Sequence, residues 1–99
     1  MPERRPFSYA YLGGHWFEGV YEHSTGRYWW TAKVFANAVD GSLPETRIPK
    51  LMLRQETRSG AIVAHYDSGW DIEPSAEERP VVQEVIEGIM SIELRDFPK

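Results

Sequence analysis

At 99 residues and 11.4 kDa, with 41% hydrophobic and 13% aromatic residues, the chain has the length of one domain and the apolar content to fold as one. The absence of cysteine excludes disulfides, thiolate nucleophiles and cysteine-bound zinc, and no run approaches the roughly 20 apolar residues that cross a bilayer. A net charge of −4 conceals an asymmetry: Arg27 to Arg58 holds six basic and three acidic residues, whereas Asp67 to Lys99 holds three basic and nine acidic. The expectation is a single domain over residues 1–99, cytoplasmic and not associated with membranes.

Within residues 1–14, Phe7, Tyr9 and Tyr11 alternate, which predicts an added strand or an aromatic arm. His15 to Glu22 alternates and is rich in aromatic and branched residues, and so reads as a strand. The polar stretch from Glu22 to Arg27, with Gly26 near its end, then closes a hairpin. Tyr28 to Val39 forms the longest alternating run. It places Tyr28, Trp30, Ala32, Val34, Ala36 and Ala38 on one face, and Trp29, Thr31, Lys33, Phe35, Asn37 and Val39 on the other. The alanines leave room for a helix on the first face.

Asp40 to Glu45 is loop chemistry, and Arg47 to Gln55 is a third strand in which Pro49 predicts an edge position or a bulge. Arg58 to Gly60 turns into a fourth strand, Ala61 to Asp67, with Ile62, Ala64 and Tyr66 on one side. After the turn from Asp67 to Trp70 the period changes. Ser75 and Glu78 have the spacing of a capping box, and Pro80 suits a first helical turn. Val81, Val82, Val85, Ile86, Ile89 and Ile92 then recur at helical spacing, predicting a C-terminal helix over 80–95. The stripe of Val82, Ile86 and Ile89 is expected to cover Trp30 and Ala32. Gly88 costs this helix about 1 kcal/mol relative to alanine unless something packs closely against it. The fold class is α+β: a four- to five-stranded antiparallel meander with one C-terminal helix on one face.

Chemistry is sparse. His15, His23 and His65 show no ligand spacing, so no metal and no cofactor are assigned. No phosphate loop, nucleophile elbow or catalytic triad can be built, and no catalytic residue is assigned. The informative feature is four tryptophans in so short a chain. If Trp30 faces the helix, Trp29 faces away, and alternation sets Trp16, Val20, Lys33, Phe35, Ile48, Met52, Val63 and His65 on the same outer face. Such a patch marks an interaction surface, because large exposed apolar areas and aromatic enrichment accompany interfaces. The binding candidates are Trp16, Trp29, Lys33, Phe35, Met52 and His65, with cover by the N-terminal arm or a second subunit as the competing account. An unknown protein partner or self-association is expected. Two rivals are a single-strand nucleic-acid binder, stacking bases on Trp29 and Phe35 beside Lys33, Arg47, Lys50 and Arg54, and a small hydrolase or metal protein centred on His65, Asp67, Asp71 and Glu73.

The stretches Trp16-Phe17-Glu18-Gly19, Ala32 to Phe35, Pro49 to Leu51 and Tyr66 to Pro74 occur in an order that resembles a group of short uncharacterised bacterial and phage proteins. The likeness spans Trp16 to Ile89, and its most distinctive part is the Tyr-Asp-x-Gly-Trp-Asp-Ile-Glu-Pro run ahead of the helix. The resemblance implies a shared small fold and the setting of a phage or mobile element. It supplies no catalytic residues.

Overall fold

The computed structural model describes residues 7–92. Six strands form one antiparallel sheet in chain order: β1 (Ala10–Gly13), β2 (Trp16–His23), β3 (Gly26–Lys33), β4 (Lys50–Gln55), β5 (Ile62–Asp67) and β6 (Trp70–Ile72). One helix, α1 (Arg79–Met90), follows. The α+β meander is as expected, with an extra strand. β1 comes from the N-terminal arm, and β6 begins at Trp70, where the sequence read only a turn. No helix among the described residues is long and apolar enough to cross a membrane. Residues 1–6 of the expected arm lie outside the described residues, as do residues 93–95 of the expected helix.

The face carrying Phe17, Trp30, Ala32, Leu51, Leu53, Ala64 and Tyr66 is buried in one cluster with Val81, Val82, Val85 and Ile89 of α1. This is the inner face. Trp30 is fully buried, and it fits because its cross-strand partner is Gly19: a Cβ there would lie 2.8 Å from the indole. Phe7 stacks on Trp30 at 5.2 Å from the other side, and its ring fills the notch at Gly88, where a Cβ would come within 2.3 Å. The helical cost of Gly88 is therefore offset by an aromatic contact. Phe7 and Tyr11, in the described part of the arm, pack against this inner core rather than the outer face.

Four expectations are corrected. β3 stops at Lys33, not Val39, and Ala36 and Ala38 are exposed. Beyond the Lys33–Lys50 pair, Phe35 N–H still reaches the Arg47 carbonyl (3.0 Å), but the Ile48 N–H bonds Thr46 Oγ1 (3.1 Å) and its carbonyl accepts from the Leu43 N–H (2.9 Å), so the loop takes the groups that a longer β3 would need. β4 is a central strand beginning after the proline, rather than an edge strand containing it. Ile48 is fully buried, and Val63 packs against the core beside a register shift between β4 and β5, so neither belongs to the outer face. Finally, α1 ends at Met90, and its fully buried residues are Val81, Val85 and Ile89; Ile86 is only half-buried. Ser75 Oγ accepts from the Glu78 N–H (3.3 Å), one half of a capping box, and its hydroxyl donates to Glu78 Oε1 (2.9 Å), but the two residues close a turn ahead of the helix, whose own N-cap is Glu78.

The helix C-terminus has no basic residue in its last turn. Arg47 supplies the cation from the loop between β3 and β4, donating to the carbonyls of Met90 (3.1 Å) and Ile92 (3.2 Å), and to that of Phe35 at 3.0 Å. A guanidinium at that end complements both the helix dipole and the orphaned carbonyls.

Candidate functional site

Strand register arranges the outer face in rows. Trp16, Lys33, Lys50 and Asp67 form one row across β2 to β5; Glu18, Thr31, Met52 and His65 form the next; Val20, Trp29 and Arg54 form the third. A groove of about 610 Å³ lies over these rows, with Thr31 and Met52 central and Trp16 and Trp29 to either side. Of the six predicted binding residues, Trp16, Trp29, Met52 and His65 line it. Lys33 and Phe35 stand at its end: the Lys33 ammonium lies 5.9 Å from the Trp16 ring and 5.6 Å from the Phe35 ring, while Phe35 itself stacks on His15 at 4.2 Å. Phe35 thus flanks the groove from beyond the strand.

Two residues that are not among the predicted binding residues shape the site. Arg58, in the loop between β4 and β5, sets its guanidinium 5.0 Å from the centre of the Trp29 ring and bonds Glu18 Oε2 at 2.8 Å. It crosses the groove as a bridge from loop to β2. The alternation that found Trp16 and Val20 also puts Glu18 between them, but the reach of Arg58 leaves no local signal. Trp29 is consequently half-buried, and its indole N–H has no partner among the described residues.

Of the basic set of the nucleic-acid reading, Lys50 and Arg54 line the groove and Lys33 stands at its end, whereas Arg47 lies away from it. Arg47 is committed to the end of α1, Arg54 donates to the Gly60 carbonyl at 2.9 Å, and Lys50 bonds Asp67 at 2.5 Å. The hydrogen bond from Lys50 holds the Asp67 carboxyl below its ordinary pKa. The acidic rival set is divided as well. His65 Nδ1 meets Asp71 Oδ2 at 3.1 Å, Asp67 belongs to Lys50, and Glu73 lines a different groove. No three histidine, aspartate or glutamate side chains converge on a metal position among the described residues.

What remains on the face is an apolar and aromatic floor beneath Lys50, Arg54 and Arg58, opposed in the lining by Glu18 and Asp67, with Asp71 beside it on His65. Such a surface can hold a segment that offers an apolar side chain next to a carboxylate or phosphate. All four strands that carry it fall within residues 15–90, the span matched by the family model described as Domain of unknown function (DUF7678). The chain belongs to that family. No curated protein and no solved structure matches this DUF7678 chain.

Proposed function

We propose that the domain is a binding module, and that its outer sheet groove takes an acidic segment of a protein partner with an apolar anchor between Trp16 and Trp29. One observation carries this reading: on a chain of net charge −4, the groove gathers three basic against two acidic side chains over an aromatic floor, with Lys33 at its end. Arg58 bears on it as well: the guanidinium is 70% exposed while Glu18 is only 15% exposed, so Arg58 stays on Glu18 and offers its remaining N–H groups to a ligand carboxylate. An accessory role in a phage or mobile element, the setting that the sequence resemblance implies, suits such a module, as does a cytoplasmic location.

The test titrates the full chain with three labelled probes: a synthetic peptide alternating glutamate with leucine, the same peptide with lysine for glutamate, and a thymidine oligonucleotide. The glutamate peptide should bind, and Trp29→Ala should weaken it by about 2 kcal/mol, as loss of a central aromatic anchor does. Binding of the oligonucleotide alone, with the steep salt dependence of phosphate contacts, would replace this reading with the nucleic-acid one. Tight binding that ignores Trp29→Ala would remove the groove from consideration.

A further inference from the structure

A second groove, of about 820 Å³, lies on the other side of the molecule, where α1 meets β6 and the corner formed by Leu43 to Thr46. Its apolar surface comes from Ile86 and Met90 above the buried Leu43, with Trp70, 39% exposed, at one wall. Ile86 and Met90 are only half-buried by the chain itself. The rim is acidic: Glu45, Glu73 and Glu87 are exposed and face a single basic residue, Arg79.

Among the described residues these three carboxylates are without an ion pair, as are Asp40, Glu56, Glu77 and Glu78 elsewhere, but these three gather on one groove. Glu18, Glu22 and Asp67 each pair with arginine or lysine, while Asp71 and Glu84 each meet a histidine. Among the described residues, Glu87 accepts only a 3.4 Å hydrogen bond from Gln83. Unpaired carboxylates around an apolar floor repel an acidic partner and attract a basic one. They also disfavour a symmetric dimer through this groove, because a two-fold contact sets the same rim against itself.

We propose that this groove docks a basic amphipathic segment of a protein partner. The segment's apolar side chains seat against Ile86, Met90 and Trp70, and its lysine or arginine residues meet Glu45, Glu73 and Glu87. The volume lies within the range of about 300 to 1,000 Å³ usual for recessed binding sites. Burial of the floor supplies affinity, while the rim sets partner choice and association rate. The proposal is independent of the outer groove and calls for the opposite ligand charge.

The experiment uses the lysine–leucine and glutamate–leucine peptides with the full chain, read by peptide anisotropy at two salt concentrations. The lysine peptide should bind at this groove, with affinity falling as salt rises, and Trp29→Ala should leave that binding unchanged. The double variant Glu73→Lys/Glu87→Lys, at two exposed positions, should weaken it at least about tenfold and shift preference toward the glutamate peptide. Glu45 sits at a left-handed φ of 61°, where glycine is less strained, so Glu45→Gly should hold or raise Tm while weakening the peptide. Absence of lysine-peptide binding, binding undiminished in the double variant, or equal lysine-peptide and glutamate-peptide affinities of the Trp29→Ala chain would overturn the proposal. So would a dimer in sedimentation that the charge reversals abolish, since a second copy would then be the occupant.

Discussion

The outer sheet groove and the groove beside α1 differ in both cover and charge. The inner side of the sheet is sealed by α1, by Phe7 over Gly88 and by the buried loop residues Val34, Leu43 and Ile48, so its remaining concavity lies at the periphery, against Ile86 and Met90. On the outer side the sheet itself is the surface, crossed by the Arg58 bridge. Basic side chains predominate in the outer groove and acidic ones in the groove beside the helix. A net charge of −4 therefore says little about what either surface attracts, because recognition follows the local field.

The sharpest way to break this contrast lies in the adjacent Trp29 and Trp30. Trp30 is fully buried between Gly19 and Phe7, so Trp30→Ala leaves a cavity that neither a glycine nor a stacked ring can fill, and should cost about 3 to 5 kcal/mol. Trp29 is half-buried beneath one arginine, and Trp29→Ala should cost about 1 kcal/mol, the ordinary size for a substitution outside the core. Urea unfolding of both variants measures the difference. Equal losses would mean that the outer face is structural, and reversed losses would exchange the two faces.

The faces were legible in the sequence because strand alternation is local: Tyr28 to Lys33 and Trp16 to Val20 sort themselves without knowledge of the rest of the chain. The same logic failed where a distant residue decided the outcome. The loop from Leu43 to Ile48 takes the backbone groups that β3 would need beyond Lys33, and Ala36 and Ala38, though correctly spaced, are left outside. Of the outer site, Trp16, Trp29, Met52 and His65 were accessible to alternation, whereas Arg58 enters from a loop whose reach has no periodic signature. The second groove was illegible for the same reason. Its walls come from three segments, and only packing shows that Ile86, on an apolar stripe, is left half-open while Ile89 is closed.

Arg47 sharpens the comparison at intermediate size. Charge alone assigns it to the basic surface, but its hydrogen bonds to three backbone carbonyls make it a clamp between α1 and the end of β3. Arg47→Met keeps much of the length and removes the donors. It should cost about 1.5 to 3 kcal/mol, the scale of hydrogen bonds made by charged groups. Peptide binding to either groove should be unchanged in the folded fraction. Arg54→Met, which gives up one bond to the Gly60 carbonyl against the three of Arg47, should lower Tm less and lower affinity for the glutamate peptide. If Arg47→Met weakens that peptide as much as Arg54→Met does, the basic surface extends around the end of the sheet and the two-sided division is wrong.

The smallest effect is also the most specific to the outer face. Asp67 has a lowered pKa in the folded protein, chiefly through the hydrogen bond from Lys50 with a further contribution from the Lys50 charge. Folding therefore favours its ionised form, so the stabilisation is fully present above the ordinary aspartate value of about 3.9 and is lost as pH falls through that value to the folded one. The carboxylate is open to solvent, and screening keeps the effect small. The wild type should have a slightly higher Tm than Asp67→Asn at neutral pH, and the gap should close in acid. Loss of the carboxylate charge also releases Lys50 in a groove where basic side chains already predominate, so Asp67→Asn should bind the glutamate peptide more tightly at neutral pH while leaving the lysine peptide at the α1 groove unaffected. Tm measured against pH for both proteins, with peptide titrations at neutral pH, checks both halves; a gap that widens in acid, or a lysine-peptide affinity that follows Asp67, would contradict the separation of the two surfaces.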